Sequence, residues 1–155
     1  MNQGVRAAVI ATKDQSILLV RHVHPTKAVE WWVPPGGALE GTDDSIQACA
    51  AREVTEETGL IPVVGRLVYV REFRETDRNT RWVELYFLAD KLSGILTAEH
   101  FTEGRPGENY IREARWLARY ELEHRNVFPE ILRDEFWLDL KAGFPQVRYL
   151  GLSHG

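Results

Sequence analysis

The helix between Asp44 and Thr58 breaks its own pattern. At about 100° per residue, Ile46, Cys49, Ala50, Glu53, Glu56 and Glu57 share one arc of roughly 120°. The first half of that arc is apolar and suits a core. The second half is three carboxylates, where a core-facing helix would continue with Leu or Val at 53 and 57. Asp43-Asp44-Ser45 supplies residues that cap a helix start, and Gly59 suits the position just past its end. Any fold of this chain has to bury one end of this face and also accommodate the acidic end.

Carboxylates spaced i, i+3 and i+4 repel one another. A hard divalent cation offsets that repulsion, because carboxylate oxygens suit Mg²⁺ or Mn²⁺. Taken alone, the run is equally well explained as a solvated acidic face. The flanking residues tilt the balance. Pro35-Gly36-Gly37 forms a tight loop before the helix, where backbone approaches a ligand or metal closely. Arg52 stands beside the acidic set, within reach of Glu56 at i+4 or of Glu40, and is placed to fix carboxylate rotamers.

Gly37 through Leu60 resembles the Nudix box: Gly, five residues, Glu, seven residues, then Arg-Glu-apolar-x-Glu-Glu-x-Gly-apolar. The second half matches without a gap as Arg52-Glu53-Val54-Thr55-Glu56-Glu57-Thr58-Gly59-Leu60, and Trp31 to Gly37 is similar to the family's Trp-x-x-Pro-x-Gly-Gly lead-in. The first half departs from the pattern. With seven residues left between, the position before Arg52 is Asp44, one residue too far from Gly37 and an Asp in place of Glu. The expectation is that Glu40 or Asp44 pairs with Arg52, and that the extra residue is absorbed between Gly41 and Asp43.

The resemblance implies an α+β fold, the Nudix α/β/α sandwich with a mixed β-sheet flanked by helices. It implies a hydrolase that cleaves the diphosphate linkage of a nucleoside di- or triphosphate, or of a nucleoside diphosphate derivative, by water attack at phosphorus. Glu53, Glu56 and Glu57, with the Gly36 carbonyl, are the implied ligands of Mg²⁺ or Mn²⁺. Arg52, Glu53, Glu56 and Glu57 are the implied catalytic set. By the same comparison, a general base is either a box glutamate or a carboxylate on the 93–109 stretch, which offers Glu99, Glu103 and Glu108. Two other readings belong to different classes: a catalytically inactive Nudix-fold ligand sensor, and a decapping or isomerase-type enzyme. The complete glutamate set argues against the sensor, and the acidic balance argues against binding RNA.

The rest of the chain reads as strands around this helix. Val5–Ala11 and Ile17–Val20 are apolar runs joined by Asp14-Gln15-Ser16, a hairpin pattern. Trp31-Trp32-Val33 is a short strand stopped by Pro34-Pro35. Val63–Phe73 and Trp82–Leu88 are longer strands, and Ala114–Leu117 a last core strand. Pro129–Lys141 has the pattern of one amphipathic helix, and Val147–Leu152 is apolar enough to pack back. Residues 93–109, with three glycines and a proline, read as a long loop.

Trp31, Trp32, Gly36, Gly37 and Arg71 are the expected substrate-binding residues; Arg74 and Arg81 read as a solvated strand face, and His22 and His24 as loop bystanders. With 155 residues, 44% hydrophobic and 27% charged, the expectation is one domain over 1–155. A net charge of -4 lacks the basic surface that nucleic acid demands. The single cysteine excludes an internal disulfide, and no stretch approaches the roughly 20 apolar residues of a membrane span. The expected partner is a small nucleotide-like diphosphate in the cytoplasm, with no membrane and no nucleic acid; a homodimer stays open.

Overall fold

The computed structural model describes residues 1–97 and 110–154. In chain order the elements are β1 (Asn2–Ile10), β2 (Thr12–Lys13), β3 (Ser16–Val23), β4 (Glu30–Val33), β5 (Gly36–Ala38), α1 (Ile46–Thr58), β6 (Leu60–Glu75), β7 (Thr80–Gly94), β8 (Tyr110–Ala118), α2 (Glu135–Ala142) and β9 (Arg148–His154). The main sheet runs β5-β1-β7-β6-β9 and is mixed: β1 lies parallel to β7, β6 parallel to β9, and the other pairs are antiparallel. In the second sheet β3 pairs with β2, β4 and β8.

Alternation along the strands creates two cores. Ala7, Val9 and Phe87 pack with Cys49, Ala50 and Val54 of α1 on one side of the main sheet. Tyr69 and Tyr86 face Phe136, Trp137 and Phe144 around α2 on the other. Helices on both faces of a mixed sheet give the α/β/α sandwich that the sequence implies. Among the described residues no helix is long and apolar enough to cross a membrane.

Several boundaries differ from the sequence reading. The Asp14–Ser16 turn does form a hairpin, but it joins β2 to β3, while β1 pairs with β7 and β5 in the other sheet. Residues 93 and 94 belong to β7, and the Thr97 amide donates to the Thr58 carbonyl at 3.1 Å. Glu99, Glu103 and Glu108 lie outside the described residues. Pro129–Lys141 is not one helix. A 3₁₀ turn, Glu130–Arg133, precedes α2, and Asp134 between them has φ −139° and ψ −84°. Asp134 caps α2 by accepting from the Glu135 amide, and the Trp137 indole donates to the Leu132 carbonyl at 2.9 Å. An aspartate satisfies backbone at a helix start better than inside a helix.

Trp32 is 2% exposed and sits in the core on the α2 side. Its backbone bonds Asn126 and Phe128, and Arg115 and Arg125 lie over its ring. The expectation that it meets substrate is therefore corrected: alternation along β4 turns Trp32 inward and leaves Trp31 beside the cleft. Replacing Trp32 with Ala is expected to lower stability by about 3–5 kcal/mol, the range for emptying a large aromatic site. Urea denaturation checks it; a loss below about 1 kcal/mol would contradict the core placement.

Candidate active site

Helix α1 starts one residue later than a cap at Asp44 would allow. Ser45 is the N-cap and accepts from the Ala48 amide at 3.0 Å; Gly59 ends the helix in the left-handed conformation at φ 77°. The main carboxylate partner of Arg52 is Asp43; of the two expected partners, Glu40 stands at the margin of ion-pair distance and Asp44 makes no pair with it among the described residues. Arg52 Nε donates to Asp43 Oδ1 at 2.8 Å and Nη2 to Oδ2 at 2.9 Å, a two-pronged ion pair. Glu40 Oε1 stands 3.9 Å from Arg52, and its backbone amide donates to Asp43. Five residues separate Gly37 from Asp43, the spacing of the box. The extra residue thus falls after Asp43, next to the helix start, and not between Gly41 and Asp43. The paired guanidinium holds the Asp43 carboxyl below the usual carboxylate range.

The other edge of Arg52 fixes the glutamates. Nη1 donates to Glu53 Oε1 at 2.9 Å and to Glu56 Oε2 at 3.2 Å. Nη2 also reaches the Ala38 carbonyl, and the Cys49 thiol lies against the Gly37 and Ala38 carbonyls, so α1 is tied directly to β5. Burial pushes that thiol up to about 11, with the Asp43 charge adding to the shift. The approach is close enough that a Cβ on Gly37 would sit 2.4–2.6 Å from the Glu53 carboxyl atoms, and one on Gly36 would meet the Ala7 carbonyl oxygen at 2.5 Å.

Glu53 and Glu57 converge beneath this turn, while Glu56 is exposed and held by Arg52. Among the described residues no three His, Cys, Asp or Glu groups converge as a ready metal cluster. The Glu53–Glu57 pair nonetheless fits a cation. Glu57 is 5% exposed, and its Oε2 has no hydrogen-bond partner. Burial first, and the neighbouring Glu53 second, push its carboxyl well above the ordinary range; the Arg6 charge and a backbone hydrogen bond from Gly36 oppose this only in part. Burial likewise raises Glu53, against the pull of Arg52. A buried, unpartnered carboxylate oxygen beside a second carboxylate is a site built for a positive charge.

A cavity of about 870 Å³ is lined by Gly36 and Gly37, the residues against which this pair packs. Gly36, Gly37 and Arg6 line the end near the carboxylates, and Trp31, Phe73 and Phe128 line its walls. Trp31 stacks on His22, with ring centres 5.7 Å apart and planes 16° apart. His22 is buried, and desolvation takes it down to about 3, so it is neutral. Arg71 lines the cavity between the Phe73 and Phe128 rings, but its charge is already met by Glu84 at 3.0 Å. Arg74 is exposed, and Arg81 pairs with Glu72 at 3.6 Å.

Sequence reasoning missed Arg6, His22 and Asp43. The signal for Arg6 was present, as a lone charge inside the apolar run of β1. His22 was hidden because β3 runs on to Val23, past the residue where a loop was expected.

The NUDIX domain model matches residues 1–134. The chain belongs to the NUDIX family. It is accordingly an enzyme acting on phosphoric anhydrides, a pyrophosphohydrolase. An ADP-ribose pyrophosphatase of Methanocaldococcus jannaschii is 34% identical over 134 residues, spanning 86% of this chain and 75% of that protein. A NUDIX hydrolase from Nitrosomonas europaea superposes with a TM-score of 0.69 at 22% identity, covering 96% of this chain and 93% of the other. The E. coli ORF135 protein does so with a TM-score of 0.67 at 22% identity, over 94% and 95%. At that identity the two structures speak to the fold.

Two expectations follow from the site. Asp43→Asn should lower turnover about 10–100-fold, the usual scale when a group that orients ligands is lost, while Asp44→Asn leaves it unchanged; steady-state rates of the two variants decide, and a larger effect at Asp44 would reverse the assignment. The second concerns pH. A raised carboxyl means that folded protein holds its proton more tightly than unfolded chain. Stability of the metal-free protein therefore falls as pH climbs above the ordinary 4.5 toward the raised folded value. Glu57→Gln should melt higher than wild type near pH 8 in chelator, with the difference closing toward about pH 4.5. Melts at both pH values test it; a wild type that is the more stable at about pH 8 would contradict it.

Proposed function

We propose that this enzyme hydrolyses the diphosphate linkage of a nucleoside diphosphate joined to a second group, using Mg²⁺ or Mn²⁺ held by Glu53 and Glu57. The observation that carries the reading is the Glu57 carboxylate, buried with an unpartnered oxygen beside Glu53 and bonded to the backbone of Gly36, which lines the cavity. The bound cation supplies charge neutralisation for the phosphates and activation of the attacking water. Glu56, bonded to Arg52 at 3.2 Å, and the Gly36 carbonyl would be the further ligands of such a cation. Arg52, anchored on Asp43, keeps the Glu53 carboxylate in one rotamer so that no reorganisation is needed during reaction.

The cavity receives the nucleoside. Trp31, braced by His22, offers a flat face for a base, and Gly36 and Gly37 let the diphosphate approach the backbone. Arg71 acts mainly by pinning Glu84, whose remaining oxygen is an acceptor for ligand N–H groups. The archaeal relative, 34% identical, is an ADP-ribose pyrophosphatase, which favours nucleoside diphosphate derivatives over triphosphates as the substrate class.

Activity on a panel of nucleoside diphosphate derivatives, scored by nucleoside monophosphate release, is expected to vanish in chelator and return with Mg²⁺ or Mn²⁺. Calcium should support little turnover because its looser coordination positions water poorly. Glu57→Gln should lower kcat by about 10²–10³-fold while KM changes little. Full hydrolysis in excess EDTA, or a folded Glu57→Gln protein as active as wild type, would overturn the proposal.

A further inference from the structure

Four Lys or Arg side chains line the cavity among the described residues: Arg6, Lys27, Arg71 and Arg78. Three of them have carboxylate partners there. Lys27 pairs with Asp77 at 3.3 Å, Arg71 with Glu84 at 3.0 Å, and Arg78 with Glu75 at 3.4 Å. Arg6 makes no ion pair among the described residues. Its register neighbour on β7 is Glu84, but that carboxylate is turned to Arg71 and to the Tyr86 hydroxyl. On its other side stands Ala38 of β5, which offers no charge.

The guanidinium is nevertheless held in place. It lies over the Trp82 ring, 5.3 Å from the centroid. Trp82 in turn packs against Gly4, where a Cβ would come within 2.5 Å of the indole. A guanidinium resting its face on an indole keeps the N–H groups at its edge free for an acceptor. Arg6 also lines the cavity and is paired with Ala38, next to Gly37 on β5, and its charge is felt at both Glu57 and His22.

We propose that Arg6 binds the phosphate attached to the ribose, on the side of the diphosphate opposite Glu53 and Glu57. This rests on the proposed function for the choice of ligand. A diphosphate lodged there would lie between an oriented guanidinium and a carboxylate-held cation, with both of its charges answered. The arrangement explains why β1 carries, within its apolar run Val5–Ile10, a cation that no carboxylate among the described residues neutralises.

The test uses nucleoside 5′-monophosphates, which contain no anhydride bond, so its outcome does not depend on whether the chain hydrolyses anything. Affinities of the monophosphates of adenosine, guanosine, cytidine and uridine, and of the four nucleosides, are measured by calorimetry with Mg²⁺ present. Wild type, Arg6→Met and Arg6→Lys are compared, with thermal melts to verify folding. Wild type is expected to prefer at least one monophosphate over its nucleoside by about tenfold or more, as charge-assisted bonding to phosphate allows. Arg6→Met should erase most of that preference and leave nucleoside affinity unchanged, and Arg6→Lys should restore part of it. The proposal is overturned if the preference survives in Arg6→Met, if both variants lose nucleoside and monophosphate alike, or if wild type shows no preference.

Discussion

The closeness of α1 to β5 governs the geometry of this protein's active end. Glu53 occupies the space where any side chain at Gly37 would have to go, and Gly36 is pressed against β1 in the same way. Arg52 and Cys49 reach across to the carbonyls of β5 and hold the two elements together. With the helix locked there, Glu57 one turn further on is carried into the interior, where burial opposes its ionisation. The fold therefore keeps two carboxylates in an environment that disfavours their charge, and this is the condition under which a divalent cation binds with most effect.

The clamp around Arg52 distributes the remaining charges. Asp43 takes two of its donors, Glu53 shares a third, and Glu56 is drawn outward to the same guanidinium. Three glutamates that look equivalent on a helical wheel thus have three environments: Glu53 half-buried and bonded, Glu56 exposed, Glu57 buried and unpartnered on one oxygen. The cavity beyond them follows a similar economy. Its other cations pair with carboxylates that also line it, so that the aromatic walls and the Arg6 guanidinium, which makes no ion pair among the described residues, set its character.

Much of this was legible in the chain. The helix, its end at Gly59 and the Arg-Glu-x-x-Glu-Glu spacing depend on relations within a few residues, where backbone geometry is regular. The strands were visible as apolar runs, though the hairpin was assigned to the wrong partner for β1, because pairing between distant segments leaves no local mark. The break at Asp134 was hidden for a related reason. Its residues carry a helical pattern on both sides, and only the capping of Glu135 and the Trp137 indole bond to Leu132 show that the backbone turns there.

By itself the sequence determined the family, the α+β architecture and the helix that carries the glutamates, since each rests on spacing that a helix or strand translates directly into position. The tertiary structure decided everything that turns on burial and on which way a strand faces. It chose Asp43 over Asp44 as the partner of Arg52, because the extra residue falls at the helix start rather than in the turn before it. It sent Trp32 into the core and left Trp31 at the cavity, because β4 is buried on one face only. It brought Arg6, a charge within the apolar run of β1, to the wall of the cavity beside the glycine strand, because β1 is paired between β5 and β7. Those outcomes depend on contacts among residues far apart in the chain, and such contacts exist only once the sheet has formed.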